Sequence, residues 1–193
     1  MLYGGTALAL RLGHRDSVDF DFFSDREFQP MALYESLPLL KGATIVQSEA
    51  NTLTCLADRG GEVKLSFFGL PHLARINPPD ICGDNGLRIA SLLDLAATKA
   101  AVVQQRAQAK DYLDIDALIS AGVSLGEALA AAKLVYGDAF APTPTIKALA
   151  YFGDGDLPTL PEDVKQRLVA ASTAVDPTRL PSLKRDAGRD SQR

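Results

Sequence analysis

Residues 4–23, GGTALALRLGHRDSVDFDFF, decide how the rest of the chain is read. The stretch opens on a glycine pair and a threonine and runs through an Ala/Leu-rich segment. It reaches Asp19 and Asp21 after a turn that carries His14 and Arg15. Residues 6–12 have the composition of a short helix, and Gly13 can end it. Residues 18–23 alternate, with Val18, Phe20 and Phe22 on one face and Asp19 and Asp21 on the other, as in a half-buried strand. Both carboxylates therefore leave the same face of one strand. Two like charges so placed repel, and a divalent cation relieves that repulsion. Magnesium is commonly held by one or two carboxylates, with substrate phosphates and water completing its shell. A solvated strand face beside a loop would present the same pair, so the neighbours have to decide.

The neighbours favour a nucleotide. Backbone amides of Gly4, Gly5 and Thr6, placed ahead of a helix, can point at an anion. Glycine lets a phosphate approach the backbone closely, and the Thr6 hydroxyl adds a donor. Arg15 can supply charge to phosphate. Taken singly, the glycines read as a turn, Thr6 as a helix cap and His14 as a loop histidine. Together they form a phosphate cradle and a metal clamp, with Mg²⁺ on Asp19 and Asp21, within eighteen residues.

Further along, residues 31–40 read as helix limited by Pro38, and 43–47 and 52–57 as strands. A turn at Gly60-Gly61 precedes an alternating strand at 62–68. Residues 71–88 carry three prolines and two glycines and read as mostly loop. The composition then changes. Residues 91–120 hold no proline or glycine and predict one long helix, or two with a break near Gln108. Helices follow at 125–136, 145–152 and 162–175. The layout is α+β: a small mixed-sheet core over residues 1–88, a helical domain over 89–175 and a polar tail over 176–193 expected to fray. The seam at 88–90 is a natural place for a cleft. The first strand is short and a candidate for a sheet edge.

Composition narrows the class. The 193 residues are 47% hydrophobic and 23% charged with a net charge of -4, so no global basic field advertises nucleic acid. Cys55 and Cys82 make neither a disulfide framework nor a zinc site of usual spacing. No apolar run reaches membrane-spanning length and no secretory leader is visible, so a cytoplasmic location is the expectation.

On one continuous helix over 92–117, the 3.6-residue period sets Leu95, Lys99, Arg106, Lys110 and Asp114 along a single stripe shared with Leu92 and Val103. Cations along an otherwise apolar stripe suggest a helix that packs at one end and lines an anionic pocket at the other. Lys110 and Asp114 also read as an ordinary i,i+4 pair.

These motifs resemble the nucleotidyl transferase AbiEii/AbiGii toxin family, within the DNA polymerase β-like nucleotidyltransferase superfamily. Gly4, Gly5 and Thr6 match its hG[GS] element, and Asp19 and Asp21 its Dh[DE]h element. LLDLAATKAAVVQQRAQAKDYLDIDALI resembles its K…R…KDxxD segment, placing Lys99, Arg106, Lys110, Asp111 and Asp114, and IKALAYFGDGDLP its closing motif. The resemblance covers roughly residues 2–170. It implies a mixed-sheet nucleotidyltransferase core with a helical domain across a cleft and a metal-bound NTP. It also implies a phosphate-side lysine at Lys99 and a cognate antitoxin. Some members transfer nucleotides to tRNA ends.

The match departs at one place. The third carboxylate of this superfamily would fall in EVKLSFF, where the chain has Ser66. Serine is a poor metal ligand and no base at neutral pH. Glu62 shares that strand face but lies about 13 Å along it, and Asp111 is the remaining candidate base. The expectation is a Mg²⁺-dependent nucleotidyltransferase acting on tRNA. The competing reading is a weakened nucleotide-binding module that works through a protein partner.

Overall fold

The chain enters its sheet at once. In the computed structural model, which describes residues 1–185, β1 (Leu2–Tyr3) runs directly into α1 (Gly4–Leu12), and β2 (Asp19–Ser24) returns beside β1. α2 (Pro30–Ser36) and a short 3-10 turn lead to β3 (Thr44–Glu49), β4 (Thr52–Asp58) and β5 (Glu62–Gly69), then the two-residue strands β6 (Asp80–Ile81) and β7 (Arg88–Ile89). The remaining helices are α3 (Leu92–Val102), α4 (Ala109–Ser120), α5 (Leu125–Tyr136), α6 (Pro142–Ala148) and α7 (Glu162–Ala174). The protein is thus a mixed α/β fold, with a seven-stranded mixed sheet and seven α-helices among the described residues.

The chain divides into two compact units, Met1–Leu73 with Pro79–Ala90, and Ala74–Pro78 with the chain from Ser91 on. In the first, the strand order is β3-β4-β5-β2-β1-β7-β6. β2 pairs in parallel with β5, and β4 joins β3 and β5 antiparallel. One sheet face is apolar: Leu53, Cys55 and Leu65 are buried with Leu40, and Phe20, Phe22, Leu33 and Phe67 pack on them. Tyr34 closes this layer by donating its hydroxyl to the Ala43 carbonyl at 2.9 Å. Because strand side chains alternate, that packing sends Asp19, Asp21, Lys64 and Ser66 to the opposite face.

β1 is not an edge strand. It sits between β2, antiparallel, and β7, parallel, and the edges are β3 and β6. The segment expected to be mostly loop supplies β6 and β7, since a two-residue strand is too short to show a period.

The second unit is helical. α3 packs on α5 around small residues, with Ala97, Ala100, Ala131, Ala132 and Leu129 all buried. Of the two expectations for residues 91–120, the second holds: there are two helices, separated by a turn over residues 103–108. No proline or glycine separates them; side-chain bonds do. Gln104 Nε2 donates to the Ala141 carbonyl at 2.9 Å and to Thr145 Oγ1 at 2.7 Å, turning the chain out of the α3 axis. α6 begins earlier than expected, because Pro142 takes a first-turn position where its missing N–H costs nothing. Residues 176–185 carry no helix or strand, yet Arg185 Nη2 donates to the Leu134 carbonyl at 3.0 Å. Of the expected tail, residues 186–193 lie outside the described residues.

Candidate active site

The first motif folds into one compact site. α1 starts at Gly4 itself, and its N-cap Tyr3 makes no side-chain cap bond, so the amides of Gly4, Gly5 and Thr6 form the first turn. Gly4 has φ +72°, in the left-handed region that glycine tolerates. Register pairs Tyr3 with Asp21 across the β1–β2 ladder. A Cβ on Gly4 would overlap the Asp21 Oδ2 oxygen and lie 3.3 Å from its Cγ. The helix start and the second carboxylate are therefore neighbours, and a side chain at residue 4 would have to displace the Asp21 carboxylate.

Thr6 has a different role from the one its position suggested. It is buried at 2% exposure, shares a 2.8 Å hydrogen bond with Ser17 Oγ and donates its hydroxyl to the Asp19 carbonyl oxygen. Its side chain fixes the backbone of the first carboxylate, and what it can offer a phosphate is its first-turn amide. Arg15 Nη1 donates to the Asp16 carbonyl at 2.9 Å. It borders an open hollow of about 410 Å³ lined also by Thr6, Leu10, Ser17 and Phe20.

Ser66 is the direct neighbour of Asp21 on β5, at 1% exposure, and Lys64 is the neighbour of Asp19. Glu62 pairs with Asp58 at the far end of the β4–β5 ladder, beyond the start of β2. Among the described residues no group of three or more His, Cys, Asp or Glu is gathered as a cation site. Two adjacent carboxylates beside a helix N-terminus still fit the magnesium mode in which phosphates complete the shell.

The cations of the second motif meet by a different route from a helical stripe. The 103–108 turn folds the start of α4 back toward α3, and four charges gather. Lys99 Nζ lies 2.8 Å from Asp111 Oδ1 and 2.5 Å from Asp114 Oδ2. Arg106 adds Nε to Asp111 Oδ2 at 2.7 Å and Nη2 to Asp111 Oδ1 at 3.1 Å. Both aspartates are fully buried and Lys99 nearly so, whereas the Arg106 side chain is 45% exposed. Burial alone would push the Asp111 carboxyl up. The hydrogen bonds from Arg106 and Lys99, with their charges, outweigh it and hold Asp111 below the usual carboxylate range. Asp111 is therefore held as the carboxylate, with both of its oxygens engaged by the two cations. Lys110 is exposed on the first turn of α4.

Spacing named Asp114, on the Lys99 stripe and as the i,i+4 partner of Lys110, but not its buried pairing with Lys99, which depends on the turn. Asp94 escaped that reading altogether. Asp94, at 2% exposure, accepts the amides of Ile76 at 2.8 Å and Asn77 at 3.2 Å and bonds Ser91, tying residues 74–78 to the head of α3. The Ser91-x-x-Asp94 spacing before an apolar run is a capping-box pattern and was the available signal.

Among the described residues no single helix is long and apolar enough to cross a membrane. An uncharacterized protein of Aquifex aeolicus (strain VF5) is 35% identical over 116 residues, which are 59% of this chain and 54% of that relative. The match thus spans about half the length of that relative. A family model for the nucleotidyl transferase AbiEii toxin of type IV toxin–antitoxin systems matches residues 1–185. With the glycine-led helix set against the Asp21 carboxylate and a match over nearly the whole chain, the protein belongs to the AbiEii nucleotidyl transferase toxin family.

Proposed function

We propose that this chain is a Mg²⁺-dependent nucleotidyltransferase that moves a nucleoside monophosphate from an NTP to the end of tRNA. In this reading it acts in the cytoplasm as the toxin opposite a cognate antitoxin. The observation that carries it is the overlap a Gly4 side chain would make with Asp21, because it joins a phosphate-binding helix start to a metal-binding carboxylate. Asp19 and Asp21 would hold the metal, which when bound supplies charge neutralisation at the transferring phosphate. The first-turn amides of Gly4, Gly5 and Thr6 and the Arg15 guanidinium bind the triphosphate. Arg106 and Lys99 add positive charge, with Lys110 toward the acceptor phosphates. The acceptor hydroxyl oxygen bonds to the α-phosphorus, the bond from that phosphorus to the bridging oxygen breaks, and pyrophosphate leaves. The hydroxyl proton passes to the Asp111 carboxylate, which Lys99 and Arg106 hold in place.

One observation favours a second reading. Ser66, beside Asp21 where the superfamily commonly has a third carboxylate, supports a nucleotide-binding module that has lost transfer and acts through a protein partner. Transfer of label from each α-³²P NTP to total tRNA, in wild type and Asp21→Ala, separates the two. Label that vanishes in the variant supports the enzyme. Nucleotide binding without label on tRNA or on any protein supports the module.

A further inference from the structure

The helix α4 carries Asp111 in its first turn, but its own N-cap, Gln108, makes no side-chain cap bond. The cap comes from 47 residues away: Asp156 Oδ1 accepts the Ala109 amide at 2.7 Å. A carboxylate there also suits the positive end of the helix dipole. The residue before it, Gly155, has φ +54°, and a Cβ on it would overlap the Ala107 carbonyl oxygen and lie 3.3 Å from the carbonyl carbon. The two side-by-side contacts thus grip residues 107 and 109. Arg106 precedes that grip and Asp111, whose amide bonds the Gln108 carbonyl at 3.0 Å, follows it. Tyr112 adds a brace, its ring edge-on to Phe152 with centroids 6.2 Å apart and its hydroxyl donating to the Ala148 carbonyl at 3.2 Å. Gly155 and Asp156 themselves are exposed.

We propose that the Gly155-Asp156 turn is a positioning element for the Asp111 base. It fixes the 103–108 turn and the head of α4, so that Arg106 and Lys99 converge on the Asp111 carboxylate. This rests on the role given to Asp111 above. Asp156 acts through backbone, and its charge is secondary to its acceptor oxygen. The charged groups that face Asp111 are Lys99 from α3, Arg106 from the turn and Asp114 through Lys99 on α4 itself. Tyr112 feels both Asp111 and Asp154 of the gripping segment.

The test compares Asp156→Ala, Asp156→Asn and Gly155→Ala with Asp163→Ala, which removes a first-turn carboxylate and its 2.9 Å bond to Arg167 on a different helix, α7. Two quantities are read: kcat and KM for the NTP in the transfer assay, and the titration of the Asp111 Cγ carbon by NMR. Asp156→Ala should lower kcat by about tenfold to a hundredfold, as sub-ångström placement losses do, with KM little changed. Its Asp111 titration should move to higher pH as the cations loosen. Asp156→Asn keeps the acceptor oxygen and should restore most of kcat, Gly155→Ala should mimic Asp156→Ala, and Asp163→Ala should move neither readout. An Asp156→Ala protein that melts lower but keeps wild-type kcat and Asp111 titration overturns the inference. A wild type that transfers no label overturns the nucleotidyltransferase reading instead. The Asp111 titration of Asp156→Ala then still decides whether this turn sets the cluster.

Discussion

Gly4 is where conformation and chemistry constrain one residue together. Its φ of +72° is costly for any other side chain, and a Cβ would strike the Asp21 carboxylate. Gly4→Ala should therefore destabilise the fold by about 1–2 kcal/mol from the left-handed backbone alone. It should also displace Asp21, so that Mg²⁺·NTP binding falls further than the stability loss accounts for; urea unfolding and calorimetric titration of the nucleotide measure the two separately. Lys99 is constrained differently. Its ammonium lies between two fully buried carboxylates, and Lys99→Met would leave Asp111 with Arg106 alone and Asp114 without its buried cation. Breaking one side of a buried ion cluster costs about 3–5 kcal/mol, which denaturant unfolding of Lys99→Met would register. The same cluster sets a pH dependence. The folded-state pKa of Asp111 lies below its unfolded value of about 4. Its contribution is therefore complete above that pH and is lost as pH falls toward the folded value. Unfolding free energy measured from pH 6 down to pH 2.5 should fall more steeply in wild type than in Asp111→Asn, and equal slopes would contradict the pairing.

Among the elements, Ser91 anchors the start of the helical unit. It caps α3 by accepting the Asp94 amide at 3.1 Å and bonds the Asp94 carboxylate that holds residues 74–78. Ser91→Ala should cost about 1–2 kcal/mol by loss of the cap, with amide exchange rising at Ile76 and Asn77; protection there at wild-type level would show that Asp94 needs no help. The elements that were legible in the sequence share a cause. Residues 19–22 and 62–67 alternate because one face packs with Leu40 and Leu53 while the other carries Asp19, Asp21, Lys64 and Ser66, and the period ends at Phe23 and Phe68, whose rings meet edge-on on that second face. α5 keeps its boundaries because Ser124 and Glu127 form a capping box and Gly137 ends it. β6 and β7 were illegible because two residues have no period. The break between α3 and α4 was legible only as an alternative near Gln108, because the partners that impose it, Ala141, Thr145 and Asp156, lie 37 or more residues from Gln104 and Ala109. The candidate site divides the same way. The Asp19/Asp21 pair is local and could be read from spacing. The Gly4 contact with Asp21 and the Lys99 bridge to Asp111 are tertiary, so spacing named these residues without their partners.

For the molecule as a whole, the two compact units carry different halves of the proposed chemistry. Met1–Leu73 with Pro79–Ala90 holds the carboxylate pair and the helix start, and the unit from Ser91 on holds the Lys99, Arg106 and Asp111 cluster. Binding linkage can test the first half without any knowledge of the acceptor. A ligand that binds only the folded state stabilises it by about 2.7 kcal/mol at a hundredfold excess over its Kd. For a chain of this size that is a rise of about 5–10 °C in Tm. An NTP with Mg²⁺ should give such a rise in wild type, and excess chelator should abolish most of it, since the triphosphate then meets Asp19 and Asp21 with no cation between them. Asp21→Asn should lose the Mg²⁺-dependent part while keeping whatever the first-turn amides and Arg15 contribute alone. Lys99→Met, which removes one of the cations assigned to the triphosphate, should make the rise smaller but leave it dependent on Mg²⁺. A rise that survives both chelation and Asp21→Asn would place the nucleotide away from the carboxylate pair. The polar face of β2 would then be a solvated strand face, with its two aspartates serving no metal.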